Sequence, residues 1–199
     1  MSFAELPFSQ ACENNKRPIL AVLERHLPNS ATVLQIGSGT GQHASFFAAQ
    51  MPHLTWQTSD LAANHPGIRG RVEAAGLTNV RTPLDLDVRS SDWGLSAVDA
   101  VFSANTAHIM GWPAVCAMIA GVGRLLAPGG CFLLYGPFNY EGRHTSESNA
   151  RFDLSLRMSD PVMGIRDCGQ IAAEAGAAGL VLEEDREMPA NNRLLVWRR

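Results

Sequence analysis

Three glycines at alternate positions, Gly37, Gly39 and Gly41, are the residues best placed by type and spacing to hold a small molecule. They follow a mostly apolar run at 33–36 and precede small and apolar residues at helical spacing, a pattern that predicts a strand, a tight loop and a helix. Glycine has no Cβ and adopts positive φ easily, so its backbone N–H groups can touch a ligand. We therefore predict that the loop binds a nucleoside cofactor; the alternative is an ordinary glycine-rich turn.

The spacing of these glycines distinguishes between kinds of nucleotide loop. In a dinucleotide-binding loop the third glycine comes one residue later, where this chain has Gln42. The lysine that completes the phosphate loop of nucleotide triphosphatases is missing as well. The pattern instead resembles the first motif of class I methyltransferases, which bind S-adenosylmethionine. That motif usually has an acidic residue two positions before its first glycine, where this chain has Gln35.

Two carboxylates at the ends of predicted strands are candidates for holding a nucleoside. Asp60 ends a strand over 54–60, 19 residues after Gly41, and a carboxylate there can accept hydrogen bonds from both ribose hydroxyls. The alternative is that Asp60 caps the following turn. Asp87 follows a strand over 80–84 and is expected to meet the exocyclic amine of adenine, with Leu86 and Val88 on either side of the ring.

Chemistry is expected where a fourth strand, over 98–103, ends. This strand delivers Asn105 and His108 to the point where the strand order of an open α/β sheet reverses, which is where such sheets bind ligands. We predict that His108 faces the reaction centre as a general base or as a donor that orients the acceptor, with Asn105 beside it. The alternative is a histidine buried against the following helix.

The polar segment 138–166 interrupts the alternation of strands and helices, and we expect it to form a lid and an acceptor pocket. It includes a predicted helix over 146–158. Side chains able to bind polar groups are expected to converge over the transferable group: Tyr135, Glu147, Asn149, Arg151 and Arg166. Because arginine suits paired contacts with a carboxylate or a phosphate, an anionic or strongly polar acceptor is expected. In the alternative, arginines pair with nearby carboxylates on a solvated surface: Arg143, Arg151, Arg157 and Arg166 with Glu147, Asp153, Asp160 and Asp167.

The elements that must position these residues alternate along the chain. Helices are predicted over 15–27, 42–51, 64–77, 112–127 and 167–178. Asn15 is a candidate cap of the first of these helices, and Asp167 is the predicted cap of the last. Strands are predicted over 33–36, 54–60, 80–84, 98–103, 131–137, 180–184 and 193–197. This order predicts a doubly wound, mostly parallel α/β sheet. The polar cluster at 13–16, which includes Asn15 and Lys16, is either a solvated helix start or a cap over the cofactor.

Composition limits the class of protein. A chain of 199 residues is predicted to form a single domain, and its formal net charge of −3 provides no basic field for nucleic acid. The four cysteines are dispersed without a Cys-x-x-Cys pair, so no metal site is predicted. The sequence has no signal peptide pattern and no apolar run long enough to span a membrane. We therefore expect a cytoplasmic monomer or homodimer with no membrane partner.

Motifs along nearly the whole chain resemble those of one group, the methyltransferase-like 26 family. They lie at 15–20, 37–43, 56–60, 86–88, 105–109, 134–138, 145–153, 164–167 and 188–192. The resemblance implies a Rossmann-like class I methyltransferase fold, with a seven-stranded sheet in the order 3-2-1-4-5-7-6 and an antiparallel last strand. It also implies S-adenosylmethionine as cofactor, held by Asn15, Lys16, Gly37, Ser38, Gly39, Gly41, His43, Asp60, Leu61, Asp87, Val88 and Asn105. No particular acceptor follows from it.

These features favour an S-adenosylmethionine-dependent methyltransferase that acts on a small molecule. The expected catalytic or acceptor-binding residues are His108, Asn105, Tyr135, Glu147, Arg151 and Arg166. The protein would contribute mainly by aligning and desolvating the reactants. One alternative is a non-catalytic regulatory or interaction module that binds the cofactor. Another is an NAD(P)-linked reductase, which is disfavoured by Gln42 and by the lack of a Tyr-x-x-x-Lys pair after the fourth strand.

Overall fold

A central sheet organises the protein in the computed structural model, which describes residues 6–29 and 31–199. In this part of the chain the sheet has seven strands: β1 (Thr32–Ile36), β2 (Thr55–Asp60), β3 (Val80–Asp85), β4 (Val98–Ala104), β5 (Leu126–Gly136), β8 (Val181–Met188) and β9 (Asn192–Arg198). Their order is β3-β2-β1-β4-β5-β9-β8, with β9 antiparallel to both of its neighbours. Counted over these seven strands alone, this is the order 3-2-1-4-5-7-6 with an antiparallel last strand, so the predicted fold class is confirmed.

Helices cover both faces of the sheet, and this explains why its central strands are apolar on both sides. The helices are α1 (Gln10–His26), α2 (Gln42–Gln50), α3 (His65–Ala75), α4 (Trp112–Leu125), α5 (Glu147–Ser159) and α6 (Cys168–Ala177). Successive strand residues point to opposite faces. Val33, Phe102 and Leu133 therefore pack with α1 and α2, whereas Leu34, Val101 and Phe132 pack with α4 and α6. Among the described residues, none of these helices combines the length and the apolarity needed to span a bilayer.

The first helix begins five residues earlier than predicted. Asn15 was expected to cap it, but the N-cap is Ser9, whose side chain accepts a hydrogen bond from the Cys12 N–H. The polar cluster at 13–16 consequently lies inside α1, and Asn15 is buried. A serine hydroxyl is at least as good a cap as asparagine, and the helix passes through Pro18 without ending.

The two ends of the segment 138–166 lie side by side, because a pair of short strands that the sequence pattern did not predict joins them. The short strands β6 (Phe138–Asn139) and β7 (Arg166–Asp167) pair in parallel. Helix α5 lies between them, and it starts as predicted because Ser146 is its N-cap and accepts from the Asn149 N–H. The predicted cap of α6 is also confirmed, since Asp167 accepts from the Gly169 N–H at 2.9 Å.

Candidate active site

The carboxyl ends of β1, β2, β4 and β5 open into a cavity of about 1030 Å³. This volume is at the upper end of the range of roughly 300–1,000 Å³ that is usual for small-molecule sites. Strand β1 pairs with β2 on one side and with β4 on the other, so the cavity lies where the strand order reverses. We call the part bounded by residues 37–39, Asp60 and Asp87 the loop half, and the part bounded by Asn105, His108 and Phe152 the histidine half.

The glycine loop forms one wall of the loop half. Gly37 and Gly39 have φ of +70° and +54°, and both line the cavity together with Ser38. A Cβ on Gly37 would lie 2.4 Å from the Cγ2 atom of Thr106, so no larger residue fits there without rearrangement. Gly41 was expected among the ligand-binding residues, but it does not line the cavity. It is the N-cap of α2, with φ of +74°, and lies against the backbone of Ile68 in α3, where close helix packing requires a glycine.

Asp60 joins the end of β2 to this loop. Its Oδ2 accepts a hydrogen bond from the Gly39 N–H at 2.6 Å, and its Oδ1 accepts from the Leu61 N–H and from the Asn64 side-chain amide, both at 2.8 Å. Leu61 and Asn64 also line the cavity. A carboxylate has about four lone-pair sites, and three are already engaged. A ligand that donated hydrogen bonds to both carboxylate oxygens would therefore have to displace one of these donors. The Asn64 amide is the donor that can move away, because it alone belongs to a rotatable side chain.

Asp87 lies at the far side of the loop half, between the buried side chains of Leu86 and Val88. Arg89 donates to both of its carboxylate oxygens, from Nε at 2.9 and 3.1 Å. These hydrogen bonds lower the pKa of Asp87 to about 2. Arg89 itself lines the cavity, a position that the sequence gave no reason to expect, because nothing in the local pattern shows that the side chain folds back onto Asp87.

Helix α1 covers the cavity with Ser9, Cys12 and Asn15. Asn15 Oδ1 lies 2.6 Å from His43 Nε2, so the imidazole donates through that nitrogen, while its Nδ1 faces the Cys12 thiol at 3.9 Å. Burial lowers the pKa of His43 to about 4, so its ring is neutral at pH 7. Asn15 and His43 thus line the cavity as the prediction requires. Lys16 does not: it pairs with Glu13 and lies over the Phe46 ring, with Nζ 5.0 Å from the ring centroid.

His108 and Asn105 are brought together in the histidine half. The chain turns sharply after β4, with Asn105 at φ of +60°, a conformation that asparagine tolerates better than most residues. A Cβ on Gly136 would lie 3.7 Å from His108 Nδ1 and 3.9 Å from Asn105 Oδ1, so the two side chains meet above this glycine. The Phe152 ring packs edge-on against His108, with the centroids 5.3 Å apart. Burial, and to a smaller extent the charge of Arg166, lowers the pKa of His108 to about 4.

Arg166 supports the loop that carries His108 and does not line the cavity. Its guanidinium donates to the carbonyl oxygens of Ala107, at 3.0 Å, of Met110, and of Val162, at 2.8 Å. The Gly164 N–H in turn donates to the His108 carbonyl at 2.9 Å. The prediction that Arg166 reaches into the acceptor pocket is therefore wrong, because buried carbonyls on both sides of His108 take its donors.

Glu147 and Arg151 are also outside the cavity, contrary to the predicted convergence. They lie one turn apart on the outer face of α5, where their side chains are 96% and 73% exposed and pair at 3.7 Å. Arg157 pairs with Asp153 at 2.8 Å, so two of the four arginines of the alternative pair with nearby carboxylates. Tyr135 and Asn149 do line the cavity, and burial raises the pKa of Tyr135 to about 12, against an opposing hydrogen bond from Asn15.

Several lining residues were not anticipated from the sequence. They belong to the loop after β4, to the loop between β8 and β9, to α5 and to the first residue of β9: Ile109, Met110, Ser148, Phe152, Pro189, Ala190 and Asn192. Apolar and small side chains in loops have no periodic signal, so their direction could not be predicted. The motif at 188–192 was noted in the sequence, but only the antiparallel pairing of β9 with β5 brings it to the cavity.

A sequence model of the family described as "Protein of unknown function (DUF938)" matches residues 6–199. The chain belongs to the DUF938 family. The family description assigns no activity, so the resemblance to methyltransferase-like 26 stays a prediction.

Solved methyltransferases share the fold of this DUF938 chain. An O-methyltransferase family protein from Burkholderia thailandensis has a TM-score of 0.83 at 21% identity, over 95% of this chain and 57% of that protein. Human N-acetylserotonin methyltransferase, solved in complex with S-adenosylmethionine, has a TM-score of 0.78 at 14% identity, over 96% and 53%. CalO1, a methyltransferase of calicheamicin biosynthesis in its S-adenosylhomocysteine-bound form, has 0.74 at 18%, over 92% and 54%. The DUF938 chain spans little more than half the length of each, and at these identities the likeness shows the fold alone.

Proposed function

We propose that the protein transfers the methyl group of S-adenosylmethionine to a small-molecule acceptor. One observation carries this proposal: a single cavity joins a glycine loop and a strand-end carboxylate, in the loop half, to a neutral histidine in the histidine half. The loop half suits a nucleoside, and the histidine half suits an acceptor that must lose a proton. The solved methyltransferases of the same fold support this assignment.

The loop half fits the proposed cofactor in chemistry as well as in position. Gly37 and Gly39 leave room for backbone contacts with its methionine end, and Asp60 can accept from the ribose hydroxyls once the Asn64 amide has moved aside. Leu86 and Val88 provide apolar surfaces for the adenine ring. When bound, S-adenosylmethionine supplies an electrophilic methyl group on a sulfonium centre.

The chain's own residues would align the acceptor and take its proton. His108 is neutral at pH 7, so it can accept a proton from an acceptor that approaches along the Phe152 ring, a role worth typically 10²–10⁴-fold in rate. Asn105 lies beside it and can orient the acceptor atom. A bound acceptor that covers apolar side chains such as Phe152 would displace water from them, and partial desolvation favours a reaction whose charges fall as it proceeds. Segment 138–166 covers the histidine half through Phe152, Ser148 and Asn149.

An NAD(P)-linked reductase is not favoured. Where a dinucleotide loop has its third glycine, Gln42 is buried and engaged: it accepts from the Ser9 N–H at 2.6 Å and donates to Glu13 at 2.7 Å. A pyrophosphate would have to displace these hydrogen bonds, which hold α1 over the cavity.

The test combines calorimetry with a turnover assay. S-adenosylmethionine and S-adenosylhomocysteine should bind at one site per chain, and incubation with a panel of small phenols, thiols, amines and carboxylic acids should release S-adenosylhomocysteine. His108→Ala should lower the rate by 10²–10⁴-fold and leave S-adenosylhomocysteine affinity within about twofold. Absence of binding refutes the proposal, and binding with no release over the whole panel would assign a cofactor-binding role without catalysis.

A further inference from the structure

The histidine half of the cavity, where the proposed acceptor would bind, has no cationic side chain to neutralise an anion. Of the 16 lysine and arginine side chains, all within the described part of the chain, Arg89 alone lines the cavity. It belongs to the loop half and is engaged with Asp87.

The same end has no carboxylate to neutralise a cation. Asp60 and Asp87 are the only acidic residues among the described lining residues, and both belong to the loop half. Asp60, at the end of β2, is two strand spacings from β4, about 10 Å. His108 and His43 are neutral at pH 7 and supply no charge of either sign.

Two helix N-termini border the histidine half, and some of the donors of each are used within the protein. In α5 the Ser146 hydroxyl accepts from the Asn149 N–H at 3.1 Å, and Glu147 places a carboxylate in the first turn. In α4 the Ala114 and Val115 N–H groups bond to the Gly111 carbonyl at 2.9 and 3.2 Å, and Pro113 has no N–H. Internal acceptors thus take some of the donors through which a helix N-terminus can bind an anion, and Glu147 opposes the partial positive charge of α5.

One polar side chain of the histidine half, Asn149, is already engaged in hydrogen bonds within the protein. The Asn149 amide donates to Thr145 Oγ1 at 2.9 Å and to the Asn191 carbonyl at 3.0 Å. The wall also has apolar side chains: Ile109 is 49% exposed, and the Phe152 ring lies edge-on to His108. A charged acceptor that entered here would lose its hydration without gaining a counterion, and such transfers are strongly unfavourable.

We infer that the acceptor is an uncharged molecule with an apolar body and one protic group, a hydroxyl or a thiol, that faces His108. This inference rests on the proposed methyl transfer and replaces the expected anionic acceptor, whose arginine contacts lie elsewhere in the structure. In the reaction the acceptor oxygen or sulfur forms its bond to the methyl carbon, and the bond from that carbon to the cofactor sulfur breaks. The electron pair of the broken bond stays on the cofactor sulfur. The acceptor proton passes to His108 and then to water.

The test compares probes that share an apolar body and carry one substituent that is uncharged, anionic or cationic. A tolyl ring and a naphthyl ring each carry, in turn, a hydroxyl, a carboxylate or an ammoniomethyl group. The tolyl probes are p-cresol, p-toluate and p-methylbenzylammonium, and the naphthyl probes carry the same three groups. Binding to the protein saturated with S-adenosylhomocysteine is measured by ligand-observed NMR. Methyl transfer to each probe is measured with S-adenosylmethionine. At least one uncharged probe should bind ten times more tightly than its charged counterparts and be the one that is methylated.

A charge introduced by substitution provides an independent test. Ile109→Arg places a guanidinium in the histidine half and should raise the affinity for the carboxylate probes at least tenfold. Leu154→Arg, at a 60% exposed position of α5 outside the cavity, is the matched control and should change nothing. Equal or tighter binding of the carboxylates to the unmodified protein, or failure of every uncharged probe to bind, overturns the inference. Loss of S-adenosylhomocysteine binding itself, measured on the same samples, would instead overturn the proposed function.

Discussion

Replacing Asp60 is the most direct test of the loop half, because its carboxylate touches both the glycine loop and the space for a ligand. In Asp60→Asn one oxygen becomes an amide nitrogen, which would face an N–H donor of Gly39 or Leu61 instead of accepting from it. Asp60→Ala removes both acceptors. All three internal hydrogen bonds lie at the exposed surface, so water can replace them, and the free energy of unfolding should fall by about 1 kcal/mol or less.

The effect on ligand affinity should be larger than the effect on stability. A hydrogen bond to a charged group is worth about 1.5–3 kcal/mol, so each variant should weaken S-adenosylhomocysteine binding roughly 10- to 150-fold. Asp85→Asn is the matched control: Asp85 ends the neighbouring strand, accepts from the Ala62 N–H at 3.0 Å and does not line the cavity. Its affinity should stay within about twofold. Asn64→Ala should leave affinity unchanged or raise it, because the ligand no longer competes with the Asn64 amide for Asp60.

Calorimetric titration at pH 7.5, with melting temperatures recorded on the same samples, measures both quantities. If Asp60→Asn and Asp60→Ala bind S-adenosylhomocysteine as tightly as Asp85→Asn while remaining folded, the carboxylate has no part in ligand binding. Its role would then be limited to fastening the glycine loop to β2.

Three further predictions concern the glycine loop, the support of His108 and the buried histidines. Gly37→Ala should abolish detectable cofactor binding or folding, because its Cβ would overlap Thr106. Gly76→Ala is the control, because Gly76 has φ of +62° and open space around it, and its free energy of unfolding should fall only by the roughly 1–2 kcal/mol that the left-handed conformation costs alanine. Equal urea midpoints for the two variants would contradict this prediction. Arg166→Lys should lower the free energy of unfolding by about 1–3 kcal/mol, because lysine cannot serve the carbonyls of Ala107 and Met110 together. Arg151→Lys, which changes an exposed ion pair, is the control and should alter the free energy of unfolding by no more than about 0.5 kcal/mol. If Arg166→Lys has as little effect, the hydrogen bonds of Arg166 to these carbonyls do not stabilise the protein. Burial lowers the pKa of His43 and of His108 from 6.5 to about 4, so between these pH values the unfolded chain binds protons that the native protein does not, and stability falls as the pH falls. In urea titrations, the free energy of unfolding should decrease between pH 7 and pH 4.5, and His108→Asn should make that decrease smaller by up to roughly 3 kcal/mol. An unchanged pH dependence would show that the His108 ring is accessible to protons in the native state.

Much of the loop half could be predicted because its signals are local. The positions of Gly37, Gly39 and Asp60 follow from short runs that begin and end the first two strands, and the carboxyl ends of parallel strands necessarily share one edge of the sheet. The alternation of elements led in the same way to the doubly wound parallel sheet, and the order of its seven strands followed from the family resemblance. His108 and Asn105 could be placed together for the same reason, since they follow the strand beside β1.

Errors of prediction occurred where a side chain had a choice of partners from distant parts of the chain. Lys16 turns to Glu13 and Phe46, and Gly41 turns out to serve the packing of α2 on α3. The start of α1 at Ser9, and not at Asn15, depends on hydrogen bonds between Ser9 and Gln42, which lies 33 residues later. Composition and spacing identify the groups present, but they do not show which donor and acceptor will meet.

The sequence by itself therefore determined the sheet, the glycine loop and the residues at the strand ends, because these depend on the periodicity and backbone freedom of neighbouring residues. Only the tertiary structure decided the character of the acceptor end. Arg166 has its donors taken by the carbonyls of Ala107, Met110 and Val162, and Arg151 projects from the outer face of α5. A segment rich in arginine thus covers a cavity end without charge, because each guanidinium finds carbonyls, carboxylates or water outside it. An arginine in the sequence is a charge, but its contribution to a site depends on the direction of its side chain and on the partners that the fold brings within reach.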